Sequence, residues 1–142
     1  MNIGYELNLC SKLVKKRLNK ELEPYELTSV QFCVLKYMDI HSEDNNFSTA
    51  VNIAEMLDMD KPTVSAVVNR LIEKGYIRKS PHPTDGRAWV LSLTNRYRNN
   101  SDIFECISEK IMRSATVGMD EDEISFMQST MSKIISNLKN EV

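Results

Sequence analysis

The chain has 142 residues, of which 42% are hydrophobic and 27% are charged, and its formal net charge at pH 7 is −2. This length predicts one domain or one intertwined subunit, and no apolar run approaches the roughly 20 residues that a membrane span needs. The N-terminus lacks a signal-peptide pattern, and three widely spaced cysteines argue against a disulfide framework. We therefore expect a cytoplasmic protein with no membrane partner.

The first predicted helix covers residues 2–22 and ends before Pro24. Its apolar side chains recur at spacings of three and four, as on one face of an amphipathic helix. They are Ile3, Leu7, Cys10, Val14 and Leu18. A basic amphipathic helix can lie on a membrane surface, but the apolar stripe and the acidic Glu21 and Glu23 favour packing against protein.

A second helix is predicted over residues 29–40, with Thr28 as its N-cap. Its inward face should consist of Val30, Val34, Leu35 and Met38. A polar loop over residues 41–46 then separates this helix from the next part of the chain.

Two short helices follow. The first covers residues 50–57 behind a capping Thr49, and the second begins with Pro62 in its first turn. Asp60 or Lys61 caps the second helix, and Gly75 ends it in a left-handed conformation. Its buried stripe consists of Val64, Val67, Val68, Leu71 and Ile72. Its opposite face is polar and basic, with Lys61, Thr63, Ser65, Ala66, Asn69, Arg70 and Glu73.

A hairpin is predicted after the second short helix. Residues 76–79 form one strand, residues 80–87 form a loop with two prolines and a glycine, and residues 88–93 form the return strand. Alternation along the return strand places Trp89, Leu91 and Leu93 on one face.

Positive charge is concentrated in this middle segment. Residues 61–98 contain eight Lys or Arg and two acids, a net charge of +6, so the rest of the chain carries −8. Arg, Lys, Asn, Ser and Thr side chains match the donors and acceptors on base edges in the major groove. A basic helix followed by a basic hairpin on an acidic body is the electrostatic pattern of a nucleic-acid-binding protein.

The C-terminal part predicts a long helix from residue 95 to about residue 114, an interruption around Gly118, and a last helix that Asp120 and Glu123 begin as a capping box. The apolar residues of the long helix are Ile103, Phe104, Ile107, Ile111 and Met112. Those of the last helix are Ile124, Met127, Met131, Ile134, Ile135 and Leu138. The first and last helices carry more apolar surface than one small domain can cover, which mutual burial between two copies would solve.

No set of residues for enzyme chemistry is present. The sequence has no phosphate-binding glycine loop, no Gly-x-Ser-x-Gly and no His-Glu-x-x-His. His41, Glu43 and Asp44 could be pictured around a metal ion, but structural metal sites need four convergent ligands. We expect a solvated loop there, no metal and no cofactor.

Four motifs in the middle of the chain are characteristic as a set. They are Ile-Ala-Glu-Met-Leu at 53–57, Pro-Thr-Val-Ser at 62–65, the run from Arg70 to Arg78, and Asp85-Gly86-Arg87 followed by Leu93-Thr94. Together they resemble MarR-type transcriptional regulators, and the Asp-x-Arg pair with Leu-Thr is the wing signature of that family. Similarity in the flanks extends the resemblance over nearly the whole chain. Ala66 stands where members often carry a basic residue, and Tyr97 stands where a glycine is common.

The resemblance implies a mainly α fold with a small β-wing. A winged helix-turn-helix region over residues 28–94 would be flanked by dimerisation helices over residues 2–22 and 95–140. It implies a homodimer on a palindromic double-stranded DNA operator, released by a small aromatic or phenolic effector. The predicted DNA-binding residues are Lys61, Pro62, Thr63, Ser65, Ala66, Asn69, Arg70, His82, Asp85 and Arg87. The predicted dimerisation residues are Ile3, Leu7, Val14, Ile134 and Leu138.

Within the predicted wing, we expect the Asp85 carboxylate to pair with the Arg87 guanidinium and to aim it at a narrow groove. One branch of the family senses peroxides through an N-terminal cysteine, which makes Cys10 a candidate redox residue. Its place on the apolar stripe favours an inert core cysteine instead, and Cys33 and Cys106 also fit buried faces. The rival class is a winged-helix module that binds protein rather than DNA, which the basic wing disfavours.

Overall fold

The computed structural model describes residues 2–41 and 49–140, and most of the predicted polar loop, including Glu43 and Asp44, lies outside these ranges. Helices make up most of the described chain, with one two-stranded antiparallel sheet. The elements are α1 (Ile3–Leu22), α2 (Ser29–Ile40), α3 (Ala50–Leu57), α4 (Lys61–Glu73), β1 (Ile77–Pro81), β2 (Trp89–Leu93), α5 (Asn95–Ala115) and α6 (Glu121–Asn140). A short 3-10 turn at Glu23–Tyr25 joins α1 to α2. The predicted fold class, mainly α with a small β-wing, is confirmed.

Helices α2 and α3 begin at the N-cap residues that the sequence predicts. The Thr28 hydroxyl accepts a hydrogen bond from the Gln31 backbone N–H at 3.2 Å, and the Gln31 side chain accepts one from the Thr28 N–H at 3.1 Å. This reciprocal pair is a capping box whose second half was not predicted. Thr49 caps α3 through the Asn52 N–H at 3.2 Å. Local sequence thus sets where each helix begins, because the cap satisfies an N–H group that has no partner inside the helix.

The end of α4 is a Schellman motif. Gly75 has φ +81°, as predicted, a conformation that a residue with a Cβ adopts at a cost. The Tyr76 N–H donates to the Leu71 carbonyl at 2.9 Å, and the Gly75 N–H donates to the Ile72 carbonyl at 3.0 Å. The chain therefore leaves α4 abruptly and enters β1 within three residues.

By contacts the chain divides into two compact units, residues up to Ser108 and residues from Glu109 onward. The core of the first unit is centred on Phe104, which is fully buried. Its ring lies 5.4–6.1 Å, between centroids, from four other aromatic rings. They belong to Tyr25, Phe32, Tyr76 and Tyr97. Tyr97 is buried, and its hydroxyl donates to the Asp39 carboxylate at 2.7 Å. Burial is the main cause that raises the pKa of this hydroxyl, and the hydrogen bond to Asp39 raises it further. These contacts fix the first part of α5 against α2.

In the second unit, the left-handed Gly118, with φ +84°, separates the end of α5 from α6. The predicted capping box is present: the Glu123 N–H donates to Asp120 at 2.8 Å, and the Asp120 N–H donates to Glu123 at 3.3 Å. Between residues 2 and 41 and between 49 and 140, no helix combines the length and the apolarity that crossing a membrane requires.

Several expected burials are wrong for the single chain. Val30 is exposed, because α2 turns this position away from the core. Cys10, Cys33 and Cys106 are all exposed, so none is a core cysteine of its own chain. The pKa of the Cys33 thiol is nevertheless raised, because the thiol is partly removed from water. The nearby positive charge of Lys15 lowers this pKa, but by less.

Candidate nucleic-acid interface

The N-terminus of α4 is set by Asp60, which resolves the choice between Asp60 and Lys61 as the cap. Its carboxylate accepts from both the backbone N–H and the hydroxyl of Thr63, each at 2.8 Å. These two bonds hold the pKa of the Asp60 carboxyl below its usual value, because they stabilise the charged form. Lys61 and Pro62 therefore occupy the first turn of the helix. The Thr63 hydroxyl donates its hydrogen to Asp60, so its oxygen can only accept a further hydrogen bond.

The two faces of α4 divide as the periodicity predicts. Val64, Val68 and Leu71 are buried, and the helix packs against α2 and α3. We call the opposite side the outer face of α4; it consists of Lys61, Pro62, Thr63, Ser65, Ala66, Asn69 and Arg70. All of these are exposed except Ser65, which is half-buried. The outer face carries no large apolar side chain.

The wing consists of β1, β2 and the connecting residues 82–88. Its strands pair antiparallel from Ile77 opposite Leu93 to Pro81 opposite Trp89. β1 runs two residues further into the predicted loop than the sequence indicates. Leu91 and Leu93 are buried, whereas Trp89, at the alternate position that begins β2, is 49% exposed. Lys79 instead lies over the Trp89 ring, 4.6 Å from its centroid.

Two side chains of the wing loop accept hydrogen bonds from the backbone of the same loop. His82 Nδ1 accepts from the Asp85 N–H at 3.0 Å and from the Thr84 N–H at 3.2 Å. The Asp85 carboxylate accepts from the backbone N–H of Arg87 at 3.0 Å. The predicted ion pair between the Asp85 carboxylate and the Arg87 guanidinium is wrong, because the carboxylate is used by the backbone turn. Arg87 is exposed, and no ion pair joins it to any residue that the structure describes.

A cleft of about 1470 Å³ lies between the outer face of α4, the start of α3 and the wing. It brings together six of the predicted DNA-binding residues from two separate stretches of sequence. They are Lys61, Ser65, Asn69, His82, Asp85 and Arg87. The other four, Pro62, Thr63, Ala66 and Arg70, lie on the outer face of α4 but do not line the cleft.

Sequence reasoning missed several residues of the cleft. Asn52 and Glu55 of α3 line it, and so do Lys79, Thr84 and Trp89 of the wing. The polar positions of α3 were the available signal, since they alternate with its buried Ile53 and Ala54. The exposure of Trp89 had no signal, because alternation along β2 alone predicts a buried ring.

The eight cations of residues 61–98 are not equivalent in the structure. Lys74 donates to the Glu26 carbonyl and to the Gln31 side chain, and Arg96 donates to the Lys74 carbonyl. Arg70 and Glu73 are 3.8 Å apart but both well exposed, so their pairing is weak. Of these eight cations, all in the described part of the chain, the exposed ones whose side chains make no hydrogen bond or ion pair are Lys61, Arg78, Lys79, Arg87 and Arg98. In the same ranges, no group of three His, Cys, Asp or Glu could hold a metal ion.

The chain is similar to known proteins of one family. The MarR family model matches residues 25–88. The multiple antibiotic resistance protein MarR of Escherichia coli K12 is 21% identical over 134 residues, 94% of this chain and 90% of that protein. The HTH-type transcriptional regulator YdcH of Bacillus subtilis is 35% identical over 94 residues, 64% of this chain and 62% of that protein.

Solved structures share the fold. The S. aureus MepR–DNA complex has a TM-score of 0.87 at 24% identity, covering 96% of this chain and 98% of that chain. A mutant of E. coli MarR complexed with operator DNA has a TM-score of 0.78 at 22% identity, covering 93% and 92%. The helices and wing define a winged helix-turn-helix protein. Over residues 25–88, which include α2, α3, α4 and β1, the chain is similar to the MarR family.

Proposed function

We propose that this protein is a transcriptional regulator that binds a palindromic operator as a homodimer and represses transcription until a small effector releases it. The observation that carries the proposal is the cleft, where the outer face of α4 and the wing meet. Two basic and polar surfaces from different parts of the chain share one opening. The relatives support the same conclusion, since YdcH is named as an HTH-type transcriptional regulator and a solved structure of E. coli MarR contains operator DNA.

The outer face of α4 fits the major groove. It is narrow because its residues are short or polar, and Asn69 and Arg70 stand exposed on it. Asn and Arg side chains can make paired hydrogen bonds to adenine and guanine edges, which gives sequence preference. The positive N-terminal end of α4 also favours a phosphate nearby, beside Lys61.

The wing fits the sugar–phosphate backbone and the adjacent minor groove. With α4 in the major groove, the cleft would receive the phosphate backbone that separates the two grooves. Lys79 and Arg87 border that cleft with positive charge. An exposed arginine at the tip of the hairpin suits a narrow minor groove, where the negative potential is strongest.

Exposed apolar side chains of α1 and α6 support the homodimer. Ile3 and Leu7 of α1 are 60% and 41% exposed, and Leu138 of α6 is 67% exposed. Val14 and Ile134, also predicted at the interface, are half-buried in the single chain. Burying such side chains against a second copy is favourable at roughly 25 cal/mol per Å² of apolar surface. A symmetric pair would also present two copies of α4 to successive major grooves about 10 bp apart.

The rival proposal, a winged-helix module that binds protein, has less support. Protein interfaces are typically rich in aromatic residues and depleted in lysine. On the outer face of α4 there is no aromatic residue, and Lys61 stands at its start. Trp89 is the only aromatic of the wing, and its ring is already covered on one side by Lys79.

A titration of the purified protein with a fluorescent duplex tests the function. The duplex should carry the intergenic sequence beside the protein's own coding region, and a shuffled duplex of equal length is the control. We expect one dimer per palindrome, and a slope of log K against log salt steeper than about −4, since each neutralised phosphate contributes about −0.9. Equal affinity for both duplexes would contradict sequence-specific regulation.

A further inference from the structure

The C-terminal end of α4 is held from two sides by side chains, two of which, Lys74 and Arg96, belong to the eight cations of residues 61–98. On one side, the Lys74 ammonium donates to the Glu26 carbonyl and, at 3.0 Å, to the Gln31 side chain. That same Gln31 belongs to the capping box of α2. Lys74 therefore ties the end of α4 to the start of α2, and its charge is used within the protein.

On the other side, Arg96 of α5 and Thr94, just before α5, donate to three consecutive carbonyl groups that follow α4. Arg96 Nη1 donates to the Lys74 carbonyl. The Thr94 hydroxyl donates to the Gly75 carbonyl at 2.6 Å, and the Thr94 N–H donates to the Tyr76 carbonyl at 3.1 Å. Carbonyls at the end of a helix carry partial negative charge, so a guanidinium there is favourable.

The Arg96 side chain is also placed by its own packing. Its guanidinium carbon lies 4.4 Å from the centroid of the Tyr76 ring, which is fully buried. Its Cδ atom would be 3.9 Å from a Cβ at Gly75, so the stem of Arg96 passes directly over the glycine. Tyr76 in turn donates to the Tyr25 carbonyl at 2.8 Å. Because the Arg96 guanidinium lies over the Tyr76 ring and donates to a backbone carbonyl, few of its conformations could also contact a phosphate.

We propose that Arg96 is a positioning residue, which holds the end of α4 against the first turn of α5 and so sets the angle of the outer face of α4, without touching DNA. The proposal rests on the proposed DNA-binding function. It separates Arg96 from Arg98, which is exposed two residues later in the same turn and, within the described residues, has no side-chain hydrogen bond or ion pair. The two arginines are therefore a matched pair for experiment: they carry the same charge, but only the Arg96 side chain is bound within the protein.

The test compares wild type with Arg96→Ala, Arg96→Lys and Arg98→Ala, at a temperature where circular dichroism shows all four folded. For Arg96→Ala we expect the ratio of operator to shuffled-duplex affinity to fall about tenfold, because a displaced outer face of α4 would lose about as much as one base contact contributes. The salt slope on the shuffled duplex should not change. Arg96→Lys, which keeps one donor and the charge, should recover part of the ratio. Arg98→Ala should leave the ratio unchanged, whether or not it lowers the slope.

Hydrogen exchange of the Gly75 and Tyr76 amides provides a measurement that needs no DNA. Arg96→Ala should speed both about tenfold relative to amides of α6, because local opening of the last turn becomes easier. Arg98→Ala should not. A salt slope that falls by about 0.9 with an unchanged affinity ratio would make Arg96 a phosphate ligand. Unchanged ratio and exchange would also overturn the proposal. A wild type that does not distinguish the duplexes would refute the proposed function, and the exchange rates would still decide whether Arg96 holds the helix.

Discussion

At the tip of the wing, three hydrogen bonds within the loop determine how Arg87 is presented. His82 and Asp85 both accept from backbone N–H groups, so these two side chains shape the turn that carries Arg87. Asp85 acts on Arg87 through its backbone, not through its guanidinium. Of the three predicted wing residues, Arg87 is the one whose side chain remains exposed and unpaired within the described residues.

Replacing Arg87 with Ala should weaken operator binding by roughly 1–3 kcal/mol, because a cation at the minor groove and its contacts are lost. The fold should be unaffected, since the side chain has no partner in its own chain. Fluorescence anisotropy at fixed salt measures the change, and Lys133→Ala in α6 serves as a control that removes one charge elsewhere. If both variants bind equally well, the wing does not contact DNA.

Cys10 is exposed on α1 and, within the described residues, has no hydrogen bond or ion pair. A sensor thiol needs nearby cations or donors that stabilise the thiolate. We therefore expect Cys10→Ser to bind operator as wild type does, both before and after peroxide treatment. Gel shifts with and without hydrogen peroxide, with Cys33→Ser as the matched control, measure this. Release of wild type by peroxide, abolished by Cys10→Ser alone, would show that Cys10 is a redox sensor.

Among the elements, α4 is held at both ends while its outer face makes no contact with the rest of the first unit's core. Asp60 caps its start, and Lys74, Thr94 and Arg96 anchor its end. The residues between these anchors are then displayed on a rigid support, which specific recognition requires because a loosely held helix could adapt to many sequences.

Asn69 is exposed near the middle of the outer face of α4 and also lines the cleft. Asn69→Ala should change the preferred base at one position of each half-site, because an amide that pairs with a base edge is lost. Lys61→Ala should instead weaken all sequences alike, as loss of a phosphate contact does. Selection from random duplexes followed by sequencing distinguishes the two. An unaltered motif for alanine variants at Thr63, Ser65, Asn69 and Arg70 would place specificity elsewhere.

For the whole molecule, the balance of charge makes the second copy important. The chain has a net charge of −2, and residues 61–98 hold eight of its 18 Lys and Arg and a net charge of +6. Two of those cations, Lys74 and Arg96, are engaged inside the protein, which leaves less charge per chain for phosphates than the sequence indicates. A single winged-helix module typically buries only about 600–1,000 Å² on DNA. A dimer doubles both the area and the number of neutralised phosphates.

Leu138→Asp is a clean test of the dimer, because Leu138 is 67% exposed and the change should not disturb its own chain. Val14 is a poorer choice, since it is half-buried and a carboxylate there could also destabilise the monomer. A carboxylate buried without a partner costs several kcal/mol, so we expect monomers that lose operator binding almost entirely. Sedimentation velocity and anisotropy measure both effects. The control is Ser129→Asp on the opposite face of α6; a Leu138→Asp monomer with wild-type affinity would contradict the prediction.

The elements of this protein were predictable because their signals are local. Periodic apolar residues, the caps at Thr28, Thr49 and Asp120, and Gly75 after α4 define helices within a few residues of each signal. The outer face of α4 followed directly, since the side chains opposite a buried stripe must face away from the core. The motif around Asp85 and Arg87 located the wing, because it too is a local signal.

Only the tertiary structure decided which polar and aromatic side chains are used within the protein. Lys74 and Arg96 look like free cations in the sequence, but they bind carbonyls brought close by the packing of α2, α4 and α5. Trp89 shares the alternation of the buried Leu91 and Leu93, but it is 49% exposed and lines the cleft. Helix periodicity and turn chemistry act over a few residues, whereas these contacts join residues 20 or more positions apart or depend on sheet geometry. Their partners are therefore determined by the fold.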